Sequence, residues 1–84
     1  MEQIVYGSLR DEGMEVVRRD ARYFVRYDAG AHMTAWREDE ISVQELVRLK
    51  IGRDEEYRVL LEIQNRVQIT GGNPYSQNWT PLQR

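Results

Sequence analysis

The sequence predicts an α+β fold: an antiparallel sheet of three to four strands in the N-terminal half, followed by two helices packed on one face. Three observations lead there. Between Arg22 and Arg37, β-branched and aromatic residues alternate with arginines around a turn. At Ser42 and again at Asp54 the chain shows helix-start chemistry. After each start, apolar residues recur at helical spacing, and the sheet is the only surface those faces can bury against.

The central stretch predicts a hairpin. On its first arm Tyr23, Val25 and Tyr27 point one way and Arg22, Phe24 and Arg26 the other. Asp28-Ala29-Gly30 has turn chemistry, with Gly30 free to take positive φ. On the second arm His32, Thr34 and Trp36 share one face, and the acidic cluster Glu38-Asp39-Glu40 is expected to stop the strand. Upstream, Gln3 to Ser8 is a first strand and Leu9 to Gly13 a loop. Met14 to Arg19 reads better as a second strand than as a helix, because Val16-Val17 is β-branched and the segment is short.

Downstream, Ser42 and Glu45 have capping-box spacing, which starts a helix over 43–49 that Gly52 should end. Asp54 is the expected cap of a longer helix, with Glu55 and Glu56 complementing its dipole. Tyr57, Leu60, Leu61 and Val67, extended by Val59 and Ile63, form its expected apolar face. Gly71-Gly72 and Pro74 end it. The irregular tail, 73–84, carries Tyr75 and Trp79 and should lie back across the sheet or helix. No repeat or internal boundary divides the 84 residues, so one small domain is expected.

Composition narrows the function. A domain of this length buries only about 60–65% of its unfolded surface. There is no cysteine, so disulfides, thiolate metal sites and thiol catalysis are excluded, and a single histidine argues against zinc. Association, including a homodimer, is the remaining supplement. A formal net charge of −2 argues against a dedicated nucleic-acid binder on bulk charge. No apolar run has the length of a membrane span and the start lacks signal-peptide character, so a cytoplasmic protein is expected.

The side-chain constellations favour binding over catalysis. Asp28 and His32 have the spacing of a carboxylate and a base, but no nucleophile stands in a fixed relation to them. A turn aspartate beside a half-exposed histidine explains both. Arg18, Arg19, Arg22 and Arg26, interleaved with Tyr23, Phe24 and Tyr27, resemble a single-strand nucleic-acid platform or a solvated strand face. Glu38, Asp39 and Glu40 lack calcium-loop spacing, and adjacent carboxylates diverge, so no metal is expected. Gly71-Gly72 lacks the lysine and serine of a phosphate loop. Trp36 and Trp79 read as packing residues.

With no catalytic set and no cofactor implied, the expected function is that of a small, non-catalytic bacterial protein-binding module. An inhibitor, immunity protein or antitoxin fits best, its partner a protein such as a toxin or nuclease. The expected contact residues are Glu38, Asp39, Glu40, Trp36 and His32, with acidic residues covering a basic site. The alternative is a nucleic-acid-associated regulator using Arg18, Arg19, Arg22 and Arg26.

Overall fold

The computed structural model describes residues 1–81, so Leu82 to Arg84, the end of the expected tail, lie outside the described residues. The chain runs β1 (Glu2–Ser8), α1 (Leu9–Glu12), β2 (Met14–Arg19), β3 (Arg22–Asp28), β4 (Trp36–Ile41), α2 (Val43–Leu49) and α3 (Arg53–Ile69). The four strands form one antiparallel meander in the order β1-β2-β3-β4. The α+β architecture read from the sequence is the one observed. The register pairs Val16 with Val25 and Met14 with Tyr27, and Tyr23 with Ile41. Because side chains alternate along each strand, these residues share the face that meets the helices. Met14, Val16, Val25, Tyr27 and Ile41 are buried there against Leu46 and Leu49 of α2 and Val59 and Ile63 of α3.

Three local expectations are corrected. The segment 9–13 is a single helical turn, not a loop. Ser8 caps it by accepting the Asp11 N–H, and Gly13 closes it at φ 76. Four residues are too few to show a helical period. The second correction concerns the hairpin: 29–35 is a wide loop, and β4 begins only at Trp36. One Asp28 carboxylate oxygen accepts the N–H of Gly30 and of Ala35, each at 2.9 Å. The Ala29 N–H also donates to the Ala35 carbonyl at 2.9 Å. These bonds hold the loop open where a tight turn was expected. The acidic cluster does not stop the strand; it lies inside it, because Arg19 and Arg26 of the neighbouring strands hold Glu38, Arg22 holds Glu40, and Arg37 of β4 itself holds Asp39.

The third correction is a rotation of α3. The capping box at Ser42 and Glu45 forms as predicted, but α2 ends on Lys50. Gly52 is then the N-cap of α3 without a side-chain bond, and Asp54 sits within the first turn. Arg48 of α2 donates to Glu55 at 2.6 Å and to Glu62 at 2.8 Å. Arg66 of α3 donates to Glu45 of α2 at 3.0 Å. These pairs hold α2 against the 55/62/66 side of α3. Val59 and Ile63 therefore point into the core, Leu60 and Val67 are half-buried at its margin, and Tyr57 and Leu61 turn to solvent.

Candidate functional site

Strand alternation splits the acidic cluster between the two faces of the sheet. Glu38 and Glu40 lie on the face away from the helices, opposite Arg26 and Phe24 in register, and Asp39 lies on the helix face. Arg26 is buried and donates from Nε to Glu38 at 2.8 Å, from Nη2 to Glu2 at 2.7 Å and from Nη1 to Glu15 at 3.1 Å. Arg19 bridges Glu2 at 2.8 Å and Glu38 at 2.9 Å. Arg22 holds Glu40. The Arg19 guanidinium keeps the Glu2 carboxyl below the usual carboxylate range; burial opposes it and Arg26 assists. Arg22 does the same for Glu40. Stability from these lowered values is present at neutral pH and lost as the pH falls through them.

The free acidic field expected of Glu38, Asp39 and Glu40 is thus internally neutralised. So is most of the arginine platform. Arg19, Arg22 and Arg26 are tied to carboxylates, and Arg18 stands on the opposite face, exposed. The Phe24 ring is covered by the Arg19 and Arg22 guanidinium groups, 4.5 Å and 5.5 Å from its centroid.

The tail returns to β4. Arg37, buried on the helix face, pairs with Asp39 at 2.8 Å and donates to the carbonyls of Asn73 at 3.1 Å and Ser76 at 2.6 Å. Asn78 binds β4 as a strand would: its carboxamide accepts the Glu38 N–H at 2.8 Å and donates to the Glu38 carbonyl at 3.1 Å. Its backbone N–H meets the Trp36 carbonyl at 3.1 Å. Trp79 ends over Arg26, 4.4 Å from guanidinium to ring. The expectation that the tail lies back across the sheet as far as Trp79 therefore holds.

Tyr27 closes this cluster by donating its hydroxyl to Asp39 at 2.7 Å. Burial, and then the bond to Asp39, push the Tyr27 phenol well above its ordinary value. A raised folded value means the stability is complete below the unfolded pKa of about 10 and lost as the pH rises beyond it. Stability followed by urea titration should fall above about pH 10, and Tyr27→Phe should flatten that fall. An unchanged alkaline limb in the variant would remove Tyr27 as its cause.

With the charges consumed, a different surface stands out. Residues 29–36 and 67–83 contain no Asp, Glu, Lys or Arg, in a chain that is 31% charged. The fold brings 30–35 of the first stretch together with Tyr75 and Gln77 of the second. Gly30, Ala31, His32, Met33, Thr34 and Ala35 form one side of a groove of about 680 Å³, with Tyr75 and Gln77 on the other. Met33 is 82% exposed and Tyr75 61%. Of the predicted contact residues, His32 lines this groove. Trp36 lies next to it under the tail, its N–H donating to Gln77 at 3.3 Å. Sequence reasoning missed Met33 and Tyr75; the signal that would have found them is the pair of charge gaps.

Gly30 shapes the groove, but through close approach and not through positive φ. A Cβ at this position would overlap the Met33 carbonyl and come 3.0 Å from the Ala35 nitrogen. Both neighbours are backbone, so the loop would have to move. Gly30→Ala should cost about 1–3 kcal/mol in denaturant titration. A cost near zero would mean the loop is not held as described.

Comparison of the chain with protein-family models, curated proteins and solved structures finds no match. Among the described residues no helix is long and apolar enough to cross a membrane, and no three acidic or histidine side chains converge as a metal site would require.

Proposed function

We propose that this chain is a non-catalytic protein-binding module of the inhibitor, immunity or antitoxin type, which docks its partner through the uncharged groove. One observation carries the reading: two charge-free stretches far apart in sequence meet on one surface and present Met33, Tyr75 and His32 there. Methionine and tyrosine suit such a role, since both give contact area at interface centres, where charged residues are depleted. The partner element is an apolar or aromatic side chain projecting from a protein surface such as that of a toxin or nuclease. The nucleic-acid alternative is less well supported, because phosphates would have to displace the carboxylates that hold Arg19, Arg22 and Arg26.

The test starts with crosslinked capture from the source cell using the native chain and the Met33→Asp, Tyr75→Asp double variant. Any protein captured only by the native chain is purified and titrated calorimetrically at low and high salt, with single-stranded RNA and DNA in parallel. Binding should disappear in the double variant and change little with salt, because no net charge pairs across a neutral groove. It should survive Arg22→Gln with Glu40→Gln. Affinity that persists in the double variant and falls steeply with salt would overturn the groove. Tight nucleic-acid binding lost on changing the arginines would overturn the class.

A further inference from the structure

We propose that the chain self-associates through the outer edge of β1, two copies pairing antiparallel about a two-fold axis into one continuous sheet. The two edges of the sheet are treated differently. On β4 the outward-facing groups are those of Trp36, Glu38 and Glu40. Gln77 and Asn78 occupy those of Trp36 and Glu38. Arg66 donates to the Glu40 carbonyl at 3.0 Å.

The alternation can be followed across the sheet to β1. The two-residue turn at Asp20-Ala21 makes Arg19 and Arg22 a hydrogen-bonded pair. Arg18 therefore bonds inward to Gln3, and Glu2 and Ile4 turn their N–H and C=O groups outward. Among the described residues no hydrogen bond reaches those outer groups.

Among the described residues the only guard on this edge is the bulge between Ile4 and Tyr6, and the run before it is left open. β1 carries no proline and no lysine. Its one charge, Glu2, is drawn over the sheet face by Arg19 and Arg26. Exposed apolar side chains stand beside the edge. Ile4 is 45% exposed on the face away from the helices. On the other face the last turn of α2 lies over β1, with the Tyr6 hydroxyl donating to the Leu49 carbonyl at 3.4 Å. Ile51, two residues beyond Leu49, is 70% exposed, and Val47 is exposed one turn earlier.

The bulge between Ile4 and Tyr6 divides β1 into two regular runs, Glu2 to Ile4 and Tyr6 to Ser8, and α1 follows the second directly. The pairing that uses the first run fully sets Glu2 opposite the second copy's Ile4, Ile4 opposite its Glu2, and Gln3 opposite its Gln3. Four backbone hydrogen bonds then form between groups that are otherwise unpaired. A second copy is the occupant because this short segment is its own complement: the same outward groups and apolar flanks serve on both sides, which is an isologous contact. Three paired residues make a small interface, so the dimer should be weak and concentration-dependent.

The register gives a specific test. Gln3 faces its own two-fold mate in a non-hydrogen-bonded pair, where Cα atoms stand about 4.5 Å apart, within disulfide reach. The native chain has no cysteine. Gln3→Cys should give a disulfide-linked dimer on mild oxidation, and Gln44→Cys, exposed on α2, should not. Sedimentation of the native chain should show dimer rising with concentration, and Ile4→Glu, which sets a like charge opposite Glu2 of the second copy, should shift it to monomer with an unchanged far-ultraviolet spectrum. Ile4→Pro, which removes an outward N–H, should do the same. Should Ile4→Pro disturb the fold, Ile4→Glu decides alone. A native chain that stays monomeric throughout, equal crosslinking of both cysteine variants, or a dimer undiminished by Ile4→Glu would overturn the proposal. None of these outcomes depends on the groove.

Discussion

Replacing Arg26 with methionine should lower the free energy of unfolding by about 3–5 kcal/mol, enough to unfold much of the population of so small a domain. Arg26 is 4% exposed and Glu15, which it pairs with, is 0% exposed. Removing the cation leaves the desolvation cost of Glu15 in place without this ion pair to offset it. Substituting both partners tells a different story. Glu15→Leu with Arg26→Met replaces a buried pair by apolar volume, which is often neutral, so the double variant should recover most of the loss. Exposed Arg22, by contrast, pairs with Glu40 in solvent, and Arg22→Ala should scarcely move the urea midpoint. Urea titrations of the four proteins check all three statements. Equal losses for Arg26→Met and the double variant would show that solvent reaches the Arg26–Glu15 pair.

Ile63→Ala should cost about 2–5 kcal/mol, because Ile63 is wholly buried among sheet and helix residues and the truncation leaves a cavity. Leu61→Ala should stay within about 0.5 kcal/mol, since Leu61 is 45% exposed and alanine favours the helix. The contrast is the useful quantity. The spacing of apolar residues alone places Leu61 on the core face, whereas α3 docks through Val59 and Ile63, with the Arg48–Glu62 and Arg66–Glu45 pairs along its side. Similar losses at both positions would mean that α3 docks by a broader face than the one described.

These two cases show how far the sequence could be read. Elements set by local chemistry were legible: the capping box at Ser42 and Glu45, the alternation along Arg22 to Asp28, and the strand character of Val16-Val17. What depends on register was not. Glu38-Asp39-Glu40 is a poor strand former in isolation, and it becomes part of β4 because β2 and β3 place arginines beside it. Glu15 sits in an unremarkable run, and its burial is legible only once the register sets it opposite Arg26. The loop at 29–35 alternates as a strand would, but a single Asp28 oxygen gathers two amides five residues apart. The groove needed both charge gaps to be seen as one surface, and nothing local connects them.

The way the tail closes β4 has a kinetic side. A meander pairs each strand with its sequence neighbour, so the sheet can form early from short loop closures. The carboxamide that shields Glu38 comes from Asn78, forty residues further along. Between sheet formation and tail docking there is an interval in which β4 offers an unshielded edge to other chains. Asn78→Ala should therefore show itself less in the equilibrium midpoint than in refolding yield, which should drop as protein concentration rises while dilute refolding stays complete.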